Sequence, residues 1–280
     1  MTTDHIAMTP SQRAKGEAFL ALHRGPRIIV LPNAWDVITA ALLADAGFPA
    51  VATTSAGVAF ALGYPDGQRI PRDEMLAVVA RIAERVPLPI TADMEAGYGV
   101  RPEDVAETVR RTIAAGAIGA NIEDGIDHVL LDLSLGVERI VAAREAARAT
   151  GGVFVLNART DTYLARQRRP DVFDETVRRL NAYRRAGADC LFVPGVTDRE
   201  TIGRLARAVD GPLNVMVGPG MPSASDLEAL GVKRVSTGTS IARAALGLVR
   251  RAAAELRDRG TFGYAADALP YGEGNALLSR

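Results

Sequence analysis

The feature that most restricts what this chain can fold into is a regular alternation of eight short, nearly continuous apolar runs with amphipathic stretches of helical period. The runs span 27–34, 50–55, 88–95, 117–124, 153–161, 190–196, 212–218 and 234–238. A strand that is apolar at successive positions is buried on both faces, as in a parallel sheet covered by helices. Between the runs, 101–115, 134–150, 171–186 and 198–209 read as helices. The first of these opens on Arg101-Pro102-Glu103-Asp104, with proline in the first turn and acids behind it. One phrase recurs at four helix-to-strand junctions: Ala46-Gly47-Phe48, Ala115-Gly116-Ala117, Ala186-Gly187-Ala188 and Leu230-Gly231-Val232. A glycine just past a helix takes the left-handed cap conformation and turns the chain into the next strand. Eight such units close a (β/α)₈ barrel. An open doubly wound sheet is the alternative, but no G-x-G-x-x-G turn follows an early strand. With no low-complexity linker, the expected organisation is a single domain over 1–280. It comprises a helix at about 11–23, a barrel at about 27–258 and a tail at 261–280.

Composition removes several function classes. The 33 basic and 33 acidic side chains cancel, so there is no basic footprint for nucleic acid or anionic lipid. Aromatics at 5% are too few to favour base stacking. Near-neutrality gives little repulsion between copies, which favours self-association. Cys190 is the only cysteine, which excludes an intramolecular disulfide. The first 15 residues lack a signal-peptide pattern, and no apolar stretch reaches membrane-spanning length. A cytoplasmic location is expected, with neither nucleic acid nor membrane as a partner.

Barrel enzymes carry their chemistry at the C-terminal ends of the strands, and polar residues collect there. The third run ends Thr91-Ala92-Asp93-Met94-Glu95-Ala96-Gly97-Tyr98-Gly99, the fourth Asn121-Ile122-Glu123-Asp124-Gly125 and the fifth Asn157-Ala158-Arg159-Thr160-Asp161. Asn214 and Thr237 lie on the seventh and eighth. Residues two apart on a strand share a face, so Asp93 and Glu95 are expected to aim at one space, with Glu123 joining from the neighbouring strand. Buried carboxylates that repel one another are reconciled by a hard divalent cation with oxygen ligands. Arg159 offers a planar fork for a substrate carboxylate. After the second run, Ser55, Ala56 and Gly57 let backbone N–H groups approach a substrate oxygen that gains charge, and Tyr64-Pro65-Asp66-Gly67 forms a turn that presents Asp66.

These residues are similar to those of the isocitrate lyase/phosphoenolpyruvate mutase superfamily, from Pro32-Asn33-Ala34-Trp35-Asp36 to Gly231–Gly238. The most specific segments are Asp93–Gly99, Ile122-Glu123-Asp124 and Ala158–Asp161. The resemblance implies a (β/α)₈ barrel of that type and Mg²⁺ dependence, with Mn²⁺ as a substitute, and an enolate-like species held by the metal and an oxyanion pocket. By position it implies Asp93 as principal metal ligand, Glu95 and Glu123 holding the ion through waters, and Arg159 binding a carboxylate. It further implies Ser55, Ala56 and Gly57 as the 2-oxo acid pocket, with Asp93 beside it, Asp66 as the loop aspartate near the metal, and Asn214 as a substrate contact. A homo-oligomer, dimer or tetramer, with the last helix swapped between subunits, also follows.

The departures narrow the reading. The isocitrate-type lyases carry a Lys-Arg-Cys-Gly-His loop after the fourth strand, and the phosphonate-forming mutases place Pro-Lys and Asn-Ser there. This chain has Gly125-Ile126-Asp127-His128-Val129-Leu130-Leu131-Asp132-Leu133-Ser134. Glu95 replaces the usual aspartate, and Gly195 stands where the lyases carry a glutamate. Cys190 reads as a small core residue. His128 is the remaining side chain whose ordinary pKa suits proton transfer, with water as its rival. His5 and His23 precede the barrel without an evident role, and Arg166-Gln167-Arg168-Arg169 reads as a solvated loop. The expected function is a Mg²⁺-dependent lyase that cleaves or decarboxylates a small 2-oxo or 2-hydroxy (di)acid through an enolate. The alternatives are a phosphonopyruvate hydrolase or C–P mutase, and a non-catalytic relative that binds a 2-oxo acid.

Overall fold

The structure, a computed structural model, describes residues 6–166 and 170–279. The readings of His5 and of Gln167, Arg168 and Arg169 lie outside the described residues. Helix α1 (Pro10–Arg24) leads into β1 (Ile29–Leu31) and β2 (Asn33–Ala34), then α2 (Val37–Asp45), β3 (Val51–Thr53), α3 (Ser55–Ala61) and α4 (Arg72–Arg85). Next come β4 (Ile90–Asp93), α5 (Pro102–Ala114), β5 (Gly119–Glu123), a hairpin of β6 (Gly125–Ile126) and β7 (Val129–Leu130), α6 (Leu133–Arg148) and β8 (Val155–Arg159). The chain continues through α7 (Val172–Arg185), β9 (Cys190–Val193), α8 (Arg199–Ala208), β10 (Leu213–Met216), α9 (Ala224–Ala229) and β11 (Arg234–Ser236). It ends with α10 (Ser240–Arg259), a 3₁₀ turn at Gly263–Asp267 and α11 (Tyr271–Leu278).

Nine strands pair in the order β1-β11-β10-β9-β8-β5-β4-β3-β2, every pair parallel. The two ends of that order are consecutive in sequence. β1 and β2 are one strand interrupted at Pro32, which has no N–H to give to a ladder. Before the break, Leu31 O accepts from Thr237 N at 3.2 Å; after it, Ala52 N donates to Pro32 O at 2.9 Å. The strand thus hands its pairing from β11 to β3 and closes an eight-stranded barrel, as the alternation predicted. The four repeated glycines take the conformation expected of them, with φ of 83° at Gly47, 95° at Gly116, 111° at Gly187 and 93° at Gly231.

The outer core lies between strands and helices, filled by Val79, Val109, Ile140, Leu180, Leu205 and their neighbours. At the strands' N-terminal end, Phe19 of α1 is buried with Ile29, Leu31, Ala50, Ile118 and Val155 and stoppers the barrel. His23 belongs to this stopper. Its ring meets Phe19 edge-on at 4.7 Å, and burial, with Arg234 nearby, holds its pKa down to about 4. That leaves the opposite end open for chemistry.

Two differences from the sequence reading affect the site. The stretch read as a loop after the fourth strand is a hairpin, with Gly125 paired to Leu130 and Ile126 to Val129. Its two turn residues, Asp127 and His128, both have positive φ (50° and 64°), the geometry of a type I′ turn. In addition, β4 stops at Asp93. Glu95, at φ 50°, sits in the turn beyond it, so strand alternation is not what aims it.

Candidate active site

A cavity of ≈ 340 Å³ opens at the C-terminal ends of the strands. Its wall carries the carboxylates of Asp66, Asp93, Glu95, Glu123, Asp127 and Asp161, opposed by Arg159, Arg166 and His128. Ser55 and Ala56 line it as well, and Asn33, Phe192, Met216, Ser236 and Thr239 form its other half.

Asp93, the last residue of β4, is held on three sides. Its Oδ2 accepts from Ser55 N at 3.1 Å and Ser55 Oγ at 2.7 Å, and its Oδ1 from Asn121 Nδ2 at 3.4 Å. Asn121 is oriented in turn by Asn157, whose Nδ2 donates to its Oδ1 at 2.7 Å. Thr54 caps α3 by accepting from Gly57 N at 3.3 Å. First-turn N–H groups have no partner inside their helix; Ser55 spends its own on Asp93 and Gly57 on Thr54, while Ala56, between them, lines the cavity.

Glu95 is reached from another direction. Gln68 N donates to its Oε2 at 2.5 Å, and Gln68 Oε1 accepts from Tyr98 N at 2.6 Å, so the Asp66-bearing segment is tied to the turn after β4. Glu95 Oε1 is buried without a hydrogen-bond partner. Burial, then the charges of Asp93 and Asp66, push its pKa up to about 8. Asp66, at the mouth, is raised by desolvation and by Asp93. Burial likewise holds Glu123 well above the ordinary carboxylate range, although Arg159 opposes it.

Arg159 ends β8 and is already engaged. Its Nε and Nη2 donate to the two oxygens of Asp161 at 2.6 and 2.9 Å, and Nη1 lies 2.8 Å from Glu123 Oε2. Burial alone would lower its pKa, but Asp161 and Glu123 outweigh it and keep the guanidinium charged. The fork read as open for substrate is therefore filled by Asp161, and with Glu123 on Nη1 one N–H remains on each of Nη1 and Nη2. Asp161 is fixed through its N–H to Asp124 (3.0 Å), whose carboxylate also accepts from Thr160, Arg179 and Tyr183.

Two expected site residues do not reach the cavity. Asn214 is completely buried on β10 below the site, with both amide atoms unpartnered, and Met216 takes the lining position two residues on. Gly57 is a packing position: a Cβ there would lie 2.6 Å from Thr54 Cγ2 and 3.0 Å from Trp35 Cβ. Thr237 bonds Asn33 instead of facing the cavity; its Oγ1 accepts from Asn33 N at 2.9 Å. Cys190 is buried and burial raises its thiol pKa to about 11, which removes it as a nucleophile. His128 stands at the hairpin tip on the cavity wall. Asn33, Phe192, Ser236 and Thr239 escaped the sequence reading because single polar or aromatic residues at strand ends carry no motif.

The side chains fit a hard cation. All the candidate donors are oxygens, the acids outnumber the bases on the wall, and a buried Glu95 oxygen lacks a partner. Among the described residues no three His, Cys, Asp or Glu side chains are gathered into a ready cage. That arrangement suits Mg²⁺, which keeps several waters and takes one or two carboxylates directly.

Comparison with known proteins places these features in a family. The family model described as Phosphoenolpyruvate phosphomutase matches residues 19–257. A crystal structure from Burkholderia cenocepacia J2315, provisionally described as a lyase/mutase, is 46% identical with a TM-score of 0.92 and covers 97% of this chain and 98% of its own. The 2-methylisocitrate lyase of Escherichia coli (strain K12) is 30% identical over 213 residues, 72% of this chain and 70% of that protein. The oxaloacetate decarboxylase of Bradyrhizobium sp. (strain BTAi1 / ATCC BAA-1182) is 29% identical over 232 residues, 80% and 77% of the two chains. With the barrel, the carboxylate-lined mouth and a family match over most of its length, the chain belongs to the isocitrate lyase/phosphoenolpyruvate mutase superfamily of enzymes.

Proposed function

We propose that the chain is a Mg²⁺-dependent carbon–carbon lyase that cleaves or decarboxylates a small 2-oxo or 2-hydroxy (di)acid through an enolate, with Mn²⁺ able to substitute. The observation that carries this reading is the set of four carboxylates, Asp66, Asp93, Glu95 and Glu123, around one cavity of ≈ 340 Å³ that also holds Arg159. That volume has room for a small diacid. A lyase and a decarboxylase among the relatives support the bond class.

Bound Mg²⁺ would supply Lewis acidity, drawing charge onto the 2-oxo oxygen. The chain's own groups do the rest. Asp93, with Glu95 and Glu123, would hold the ion, and Ser55 keeps Asp93 in one rotamer. The Ala56 N–H donates to the oxygen that gains charge as the bond breaks. Arg159 binds a substrate carboxylate through the N–H groups of Nη1 and Nη2 that Glu123 and Asp161 leave over. His128 or water returns a proton to the enolate carbon, and Asp66, at the mouth, would present its carboxylate towards the bound ion. The test is a panel of 2-oxo and 2-hydroxy diacids with Mg²⁺, read for pyruvate, glyoxylate and CO₂. Product that persists at full rate after EDTA treatment would overturn the metal-dependent reading, and binding without product would favour a non-catalytic relative.

The phosphomutase description of the matching family model keeps a C–P reaction as a second reading. Phosphonopyruvate incubated with protein and Mg²⁺ and followed by phosphorus NMR decides it; an unchanged signal rejects it.

The reading includes a cytoplasmic homo-oligomer. Leu246, Leu248, Val249 and Leu256 are exposed along α10, a helix that leaves the barrel with only Ala242 buried. A second copy covering this face, by exchange of the helix, supports dimer or tetramer formation.

A further inference from the structure

The turn that delivers Glu95 to the cavity is an improbable one to hold. Glu95 (φ 50°), Gly97 (φ 81°) and Tyr98 (φ 57°) are all left-handed within four residues, and two of them carry side chains that disfavour it. Such backbone persists only where its surroundings over-determine it. The fastening comes from outside the cavity, from Arg139 on α6. Its Nη1 donates to Gly99 O at 2.6 Å and Val100 O at 2.7 Å, and its Nη2 to Ala96 O. One guanidinium thus ties three carbonyls of the turn, and it is 1% exposed.

Arg139 also backs the second candidate carboxylate. A small cavity of ≈ 10 Å³, about the room of one water, is lined by Arg139, Glu123, Asp124, Arg159 and Tyr183. The same side chain therefore lies behind Glu95, through backbone, and behind Glu123, across this small space. Arg144, on the same helix, provides the contrast. It donates to Gly187 O, Phe154 O and the Asp189 carboxylate, and so ties α6 to β8 and β9 without lining either cavity.

We propose that Arg139 is a positioning residue for the cation site, setting the places of Glu95 and Glu123 that the divalent ion requires. The proposal rests on the reading that these carboxylates hold the ion. No other side-chain type reproduces it: a lysine ammonium is a single point and cannot span carbonyls at both ends of the turn.

The test is titration of metal-free protein with MgCl₂ by calorimetry, on variants whose folding is verified by circular dichroism. Arg139→Met is expected to weaken Mg²⁺ binding at least tenfold, and Arg139→Lys by a smaller factor of threefold or more. Arg144→Met should lower Tm yet keep the Mg²⁺ affinity within twofold. A folded Arg139→Met with the wild-type affinity overturns the proposal whatever its Tm. Should that variant not fold, wild-type affinity in Arg139→Lys overturns it equally. Wild-type protein that takes up no Mg²⁺ overturns the proposed function and this proposal together, so the two failures are told apart by the wild-type titration.

Discussion

Ser55 grips a single oxygen of Asp93 twice, through its backbone N–H and through its hydroxyl. The two donors come from the start of α3 and the acceptor from the end of β4, so two strand ends are locked at one atom. Groups that orient a metal-holding carboxylate are worth about 10–100-fold in affinity. Ser55→Ala keeps the backbone donor and loses the hydroxyl; a Mg²⁺ titration should show affinity lowered about 10-fold. Unchanged affinity would remove Asp93 from the role of main ligand.

Metal-free protein should have a distinctive pH profile. Glu95 titrates at about 8 in the folded chain and near 4.5 without its surroundings. Between those values the folded state holds a proton that the unfolded state has lost, so stability falls as pH rises through that window. Asp66 and Glu123 shift in the same direction. Thermal scans of EDTA-treated protein should show Tm declining from about pH 5 to about pH 8. MgCl₂ should reduce the decline, because the carboxylates must lose protons to bind. A Tm that is flat or rising across this range contradicts the assignment.

Arg159→Lys retains a charge but not the planar fork shared by Asp161 and Glu123. Steady-state kinetics on whichever diacid turns over should show kcat/KM lowered by about 100-fold, mostly through KM. An equal loss in kcat with unchanged KM would make the residue a support of Glu123 and not a substrate group.

Gly57→Ala addresses the correction at that position. The added methyl must displace Thr54 or Trp35, an overpacking expected to cost about 1–3 kcal/mol. Denaturant unfolding should report this loss, while Mg²⁺ affinity stays within about twofold. A tenfold fall in affinity would restore Gly57 to the binding pocket.

Light scattering tests the covered α10 face. Leu246 and Val249 are 51% and 63% exposed in the single chain. The wild type should run as a dimer or tetramer, and the pair Leu246→Glu with Val249→Glu as a monomer. A monomeric wild type would end this part of the reading.

The barrel was legible because its cause is local: apolar runs and post-helical glycines report burial and turning residue by residue. Asp93, Glu123 and Arg159 were legible for the same reason, since each ends a strand. Glu95 was named for the wrong cause; the chain leaves the strand at Asp93, and a left-handed turn brings the carboxylate round. The hairpin tip was missed because Asp127-His128 lacks the glycine or asparagine that advertises a type I′ turn. Asn214 was misplaced because two residues on one strand face differ in depth, and only the register assigns Met216 to the rim. Arg139 had no signal at all, since it binds carbonyls 40 residues upstream, whose identity no side chain records.

The break at Pro32 has a consequence for how the chain is made. Its two halves pair with strands at opposite ends of the sequence, Ile29 with Arg234 and Asn33 with Ala52. The ring cannot shut until the last strand has been synthesised, and contacts so remote form slowly. Until then, β1 and β10 present bare parallel edges, ready to take a strand from a neighbouring nascent chain. Refolding yield should therefore fall steeply with protein concentration, and the proline seam is where a ring and a tangle part company.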